Sequence, residues 1–146
     1  MWCDPGINVF DTVTCMDGRI EPMDALGLGL DDAHVVRNGG GNARDAMRPI
    51  VISEQMLGTW ELLVIKHTDC GFTYFDNQKA HDTCLKNLGP EAKEELDDMD
   101  FGPITDLDEA VRQDVKYLRD SKLIQRDVVV SGWVLDLETG KVRKVE

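Results

Sequence analysis

The run Leu62-Leu63-Val64-Ile65 restricts the possible folds of this chain more than any other stretch. Four apolar residues in a row between Glu61 and Lys66 read as a strand with both faces covered, the situation of a strand inside a parallel sheet. The segments around it alternate in kind. Val9 to Cys15 is rich in β-branched residues and reads as a first strand. Pro22 opens a short helix or turn that stops near Gly27 and Gly29, and Ala33-His34-Val35-Val36 is a second strand running into a flexible loop, Arg37 to Gly41. Asn42 is placed to cap a helix carrying Ala46, Met47, Ile50, Val51 and Met56, with Gly58 as its end; Pro49 either kinks that helix or delays its start.

Beyond the central run, Phe72 to Leu88 reads as a helix stopped by Gly89. Pro90 to Met99 is an acidic, solvated helix or turn, and Gly102-Pro103 breaks it. Thr105 or Asp106 caps a further helix whose stripe is Leu107, Ala110, Val111, Val115 and Leu118. Asp127 to Leu137 is the last long strand; Glu138-Thr139-Gly140 turns it back, so that Lys141 to Val145 pairs as a hairpin. The expected fold is a single α/β domain over residues 1–146. It has a mostly parallel four-stranded sheet plus a C-terminal antiparallel hairpin strand, flanked by helices. In such sheets ligands gather at the carboxyl ends of the strands.

Two polar motifs fall at such ends: Cys15-Met16-Asp17-Gly18-Arg19 and His67-Thr68-Asp69-Cys70-Gly71. Cys15, His67 and Cys70 are two thiolates and an imidazole, the protein ligands of a catalytic zinc ion with its fourth position open. Alone, each motif is weak, since a cysteine at a strand end is commonly a small buried hydrophobe. Together, at two strand ends, they point to metal. A closed structural site would need a fourth ligand from Cys3, Cys84, Asp17 or His81, and none has suitable spacing. Asp17 and Arg19 alternate with Cys15, so on extended backbone all would face one side. Arg19 can then hold Asp17 in a bidentate ion pair, leaving the carboxylate to accept a hydrogen bond from metal-bound water. Asp69 is a turn residue or a support for the ligands. His34 is structural, and His81 lies exposed on a helix, an outside candidate for proton shuttling. Asp11 is an odd residue for a buried strand. Gly39-Gly40-Gly41 lacks the phosphate-binding patterns and reads as a loop allowing close backbone approach to the site.

Charge narrows the partners. Sixteen basic against 28 acidic residues give a net charge of −12, which argues against nucleic acid and anionic membranes. The N-terminal sequence lacks the basic and apolar regions of a signal peptide, so the cytoplasm is the expected location. In a reducing compartment the four cysteines are better suited to metal or catalysis than to disulfides.

Cys15-x-Asp17-x-Arg19 followed by His67-x-x-Cys70 resembles the paired motifs of the β-class carbonic anhydrases. The segments Asp32 to Gly40, Ile65 to Gly71 and Gly132 to Gly140 are similar to further stretches of that family, in the expected order. The resemblance implies Zn2+ held by Cys15, His67 and Cys70, and a catalytic dyad of Asp17 and Arg19. It also implies a homodimer or dimer of dimers with active sites near the subunit interface. Some relatives are understood to move the equivalent of Asp17 onto zinc when the dyad breaks. The chain departs from the pattern at Asp31, at Gly18 and Gly39 in place of alanine, at Leu135 in place of tyrosine, and in a short N-terminal arm; these bear on the pocket wall and the dimer contacts.

The function implied is zinc-dependent hydration of CO2 to bicarbonate and a proton by zinc-bound hydroxide. The alternative is hydrolysis of carbonyl sulfide or carbon disulfide, giving hydrogen sulfide and CO2 at the same site. Two further classes are a non-catalytic zinc or redox-sensing domain, and a small nucleotide-binding module using the glycine loop.

Overall fold

A computed structural model describes residues 10–29 and 31–146. Cys3 and Val9 lie outside the described residues. The elements run β1 (Phe10–Cys15), α1 (Pro22–Leu26), β2 (Ala33–Asn38), α2 (Met47–Leu57), β3 (Glu61–His67), α3 (Asn77–Leu88), α4 (Lys93–Asp97), α5 (Leu107–Asp120), β4 (Val129–Leu135) and β5 (Val142–Lys144). They form one five-stranded sheet in the order β2-β1-β3-β4-β5. The first four strands are parallel and β5 pairs antiparallel to β4. The architecture is the one the alternation of segments predicted.

The central run behaves as its composition requires. Leu62 and Val64 enter one apolar cluster with Val13, Ile50, Val111, Val115 and Leu118, and Leu63 and Ile65 pack into another with Ile20, Ile104 and Leu135. Both faces of β3 are therefore dry, α2 and α5 supplying much of the first cover. Helix α5 begins where Asp106 accepts a hydrogen bond from the Glu109 N–H at 2.8 Å, an N-cap that satisfies one of the free donors of the first turn.

Four boundaries differ from expectation. Helix α2 starts at Met47, not after Asn42, which places Pro49 in the first turn where its missing N–H costs nothing. Asn42 instead accepts from the Arg44 N–H at 2.8 Å, making a turn ahead of the helix. The segment after Gly71 is a short 3-10 turn, and α3 begins only at Asn77, capped by Asp76. Arg37 to Gly41 is no flexible loop: Arg37 and Asn38 finish β2, and the glycines form a tight 3-10 turn with Gly40 and Gly41 buried. The last long strand is trimmed to Val129–Leu135. The acidic stretch folds as a 3-10 turn followed by α4, with only Leu96 buried in that helix.

Candidate metal centre

Strands β1 and β3 are neighbours in parallel register, so Cys15 and His67 emerge from the same edge of the sheet. Asp69, just past β3, takes a left-handed conformation (φ 54°) that turns the chain back and brings Cys70 under His67. Cys15 Sγ, His67 and Cys70 Sγ lie within 4.8 Å of one another and all three residues are buried. They are the only such group among the described residues. Two Zn–S bonds of ~2.3 Å at a tetrahedral angle span roughly 3.8 Å, and the two sulfurs here are 3.9 Å apart.

The tautomer of the imidazole is set by its neighbour. His67 Nδ1 donates to the Thr68 carbonyl at 2.9 Å, which leaves Nε2 as the acceptor nitrogen. That nitrogen is buried and has no hydrogen-bond partner among the described residues. Burial lowers the His67 pKa, favouring the neutral, ligating form. Burial also pushes the Cys70 thiol up to about 11, the Phe72 N–H opposing and Cys15 reinforcing the shift. Two buried sulfurs and an orphaned nitrogen around one point are a donor set that a zinc ion fits, and a divalent cation is what would deprotonate such a thiol.

Beside this cluster stands Asp17, its Oδ2 3.9 Å from His67 Nε2. Asp17 and Arg19 do not sit on extended backbone as the alternation suggested: β1 stops at Cys15 and Gly18-Arg19 is a turn. The pairing is nevertheless made. Arg19 Nη2 donates to Asp17 Oδ2 at 2.7 Å and Nε to Oδ1 at 3.0 Å, and the Arg19 backbone N–H adds a bond to Oδ1 at 2.9 Å. The Arg19 hydrogen bonds hold the Asp17 carboxyl well below the usual carboxylate range. Asp69 is both a turn residue and a support: its carboxylate accepts from Arg19 Nη1 at 2.7 Å and from the Tyr74 hydroxyl, and its carbonyl accepts from Arg19 Nη2 at 2.8 Å.

Three residues that sequence reasoning passed over complete the frame. The Arg37 guanidinium donates to the carbonyls of Cys15 (3.2 Å), Asp17 (2.6 Å) and Ile20 (3.1 Å), fixing the loop that carries the dyad. The buried Lys66 ammonium donates to the carbonyls of Gly40 and Gly41, both at 3.1 Å, and to Asp114 at 2.8 Å. Tyr74 holds Asp69. No local spacing marks any of them, because each partner comes from a distant segment. The glycine turn does approach the site closely. A Cβ on Gly41 would lie 3.0 Å from the Thr14 carbonyl carbon and 3.2 Å from the Cys15 nitrogen, and one on Gly39 would lie 2.2 Å from Phe72 Cζ. That contact is a steric reason for glycine at 39.

The remaining candidates fall outside the cluster. His34 Nδ1 lies 2.6 Å from Ser53 Oγ, which donates to the fully buried Asp11 at 2.7 Å, a structural network at the far end of β1. His81 is tied to Asp97 at 3.0 Å, bridging α3 to α4. Cys84 is a free thiol on α3.

A profile of the family described as "Carbonic anhydrase" matches residues 11–142. The chain belongs to the β-carbonic anhydrase family. The carbon disulfide hydrolase of Acidithiobacillus thiooxidans is 34% identical over 88% of this chain and 73% of its own length. Beta-carbonic anhydrase 1 of Mycobacterium tuberculosis is 30% identical over 91% of this chain and 79% of its own. The structure of a carbonic anhydrase from Glaciozyma antarctica superposes with a TM-score of 0.91 at 40% identity, covering 97% of this chain and 83% of that one. No helix among the described residues is long and apolar enough to cross a membrane.

Proposed function

We propose that this protein hydrates CO2 to bicarbonate and a proton, with zinc held by Cys15, His67 and Cys70 and with Asp17 and Arg19 working beside the open position. The observation that carries this is the orphaned Nε2 of His67 facing two sulfurs, with the Asp17 carboxylate 3.9 Å away. Zinc in such a site supplies Lewis acidity that brings the pKa of a bound water from 15.7 to about 7. The chain's own part is orientation. Asp17, kept ionised by Arg19, accepts a hydrogen bond from the attacking water and so turns an oxygen lone pair toward the carbon of CO2. Arg19, anchored on Asp69, keeps the carboxylate from drifting onto the metal. The released proton passes to solvent buffer.

A second reading is hydrolysis of carbonyl sulfide or carbon disulfide, in which the same water attacks the same central carbon and sulfur leaves as hydrogen sulfide. The identity to a carbon disulfide hydrolase over most of the chain favours keeping it. A zinc-storage or redox-sensing role has less support, because a closed site has no use for a carboxylate locked to arginine beside the ligands. A nucleotide-binding role for the glycine turn is opposed by its sequence, which lacks both the Walker Lys-Ser/Thr and the G-x-G-x-x-G pattern.

The proposal extends to a homodimer or dimer of dimers in the cytoplasm. Strand β2 is an edge strand with Val35 exposed, a template for pairing with another chain. The buried pair of free thiols suits a reducing compartment. The test is zinc content together with turnover on CO2 and on carbonyl sulfide, measured on one preparation. A folded protein that binds no zinc, or that carries zinc and turns over neither substrate, overturns the proposal.

A further inference from the structure

Phe72 is the residue next but one to Cys70 and lies inside the 3-10 turn Gly71–Thr73. Its carbonyl accepts from the Ile104 N–H at 2.8 Å, and the Thr73 N–H beside it donates to the Cys70 carbonyl at 3.0 Å. The ring is thereby laid on the glycine turn. A Cβ on Gly39 would meet Phe72 Cζ at 2.2 Å, Cε1 at 2.9 Å and Cε2 at 3.0 Å, and a Cβ on Gly40 would meet Cγ at 3.3 Å. The ring thus occupies the very space that a methyl group at position 39 would take.

The two sides of this ring differ. Toward the sheet, Phe72 packs against the cluster that contains Cys15, Cys70, Ile65 and Leu135. It also lines a cavity of about 460 Å³ that has an apolar side, with Met16, Phe75 and Phe101, and a polar side carrying Arg44 and Asp100. Phe75 stacks obliquely on Phe72 with ring centroids 5.4 Å apart. Met16, which follows Cys15 directly, lines the same cavity, so the cavity begins one residue from a proposed zinc ligand.

We propose that Phe72, seated on Gly39 and Gly40, is a specificity-determining residue: its ring is the partition between the sulfur cluster and the apolar side of the cavity, and it favours CO2 over the bulkier sulfur-containing substrates. The inference rests on the proposed function. The physical basis is size. CO2, carbonyl sulfide and carbon disulfide are linear, apolar and attacked at the same carbon, so water activation does not distinguish them, whereas replacing oxygen by sulfur lengthens and widens the molecule. A ring seated beside the ligands discriminates by volume, a selection worth roughly 10–200-fold in an apolar pocket. Removing the ring joins the cavity to the site and makes room for sulfur.

The test compares kcat/KM for carbonyl sulfide and for CO2 in the zinc-loaded wild type, Phe72→Ala and Phe72→Leu, with zinc content measured on each. The ratio of carbonyl sulfide to CO2 should rise about tenfold or more in Phe72→Ala, with a smaller rise in Phe72→Leu. Phe72→Leu carries the test if the alanine variant does not fold. A second readout is structural: in crystals of Gly39→Ala the ring should leave its seat by about 1 Å or more, because non-bonded carbons sit ~3.5 Å or more apart. A ratio unchanged within about twofold in the zinc-loaded variants, well under what a pocket wall commonly contributes, overturns the inference while CO2 hydration by the wild type stands. A Gly39→Ala structure in which the turn moves and the ring stays also overturns it. Zinc-loaded wild type inactive on both substrates overturns the proposed function itself, and this inference with it.

Discussion

Arg19 meets Asp17 side-on, with Nη2 2.7 Å from Oδ2 and Nε 3.0 Å from Oδ1. This two-point grip fixes the carboxylate plane as well as its position, which a lysine could not do. Asp17→Asn keeps the shape but removes the charge and half the acceptor capacity. Zinc content should stay at the wild-type level while CO2 turnover falls by about 100-fold or more, the usual share of a positioned proton-handling group. Full turnover in the zinc-loaded variant would remove Asp17 from the mechanism.

His67 Nε2 has no hydrogen-bond partner among the described residues and is left to ligate the proposed zinc. His67→Ala should lower zinc affinity by more than about 100-fold, beyond the 10–100-fold that changes outside the ligand shell commonly cost. Competition with a chromogenic chelator measures it. Unchanged affinity would show that zinc, if bound, sits elsewhere.

Asp11, the second residue of β1, is fully buried. Burial raises its carboxyl from 3.8 to about 6, against the Ser53 hydrogen bond and the charge of His34. The folded protein therefore holds this proton more tightly than the unfolded chain does. The group's contribution is fully present below pH 3.8 and is lost as pH rises through about 6. The size of that loss is about 3 kcal/mol. Asp11→Asn, with the amide oxygen still accepting from Ser53, should flatten the decline in stability between pH 4 and pH 7, a window set by those two pKa values. Urea unfolding at a series of pH values reads this directly; parallel curves for the two proteins would refute it.

Lys66 closes the glycine turn from inside, satisfying two carbonyls and the Asp114 carboxylate at once. Lys66→Met leaves Asp114 without its cation and should cost about 3–5 kcal/mol in unfolding free energy. The double variant Lys66→Met with Asp114→Leu should recover much of that, because no unpaired charge remains. A single variant within about 1 kcal/mol of wild type, the range of an exposed pair, would mean the pair is solvated.

The parts of the fold legible in the sequence are those whose cause is local. Leu62 to Ile65 had to be a strand with both faces covered, and it is. Asp106 with the stripe from Leu107 to Leu118 had to be a capped helix, and α5 begins there. The boundaries that moved are those where long-range contacts compete with local preference. The three glycines look flexible in sequence. They are instead a rigid turn, because Thr14, Ile65 and Phe72 close on them from other strands and loops. Phe72 to Phe75 could have been helical by composition, but Asp76 is the better cap and the preceding residues are held by Cys70 and Ile104.

The sequence by itself determined the chemistry on offer: two thiols and an imidazole at the ends of strands, with a carboxylate and a guanidinium close behind. Residue types and strand ends are set by short-range pattern, so a single chain carries them. Only the tertiary structure decided that the three donors share one centre, that His67 presents Nε2 and not Nδ1, and that Arg19 reaches Asp69 as well as Asp17. Those facts depend on the parallel register of β1 against β3 and on a left-handed turn at Asp69, and register is a property of packed strands that no one strand contains.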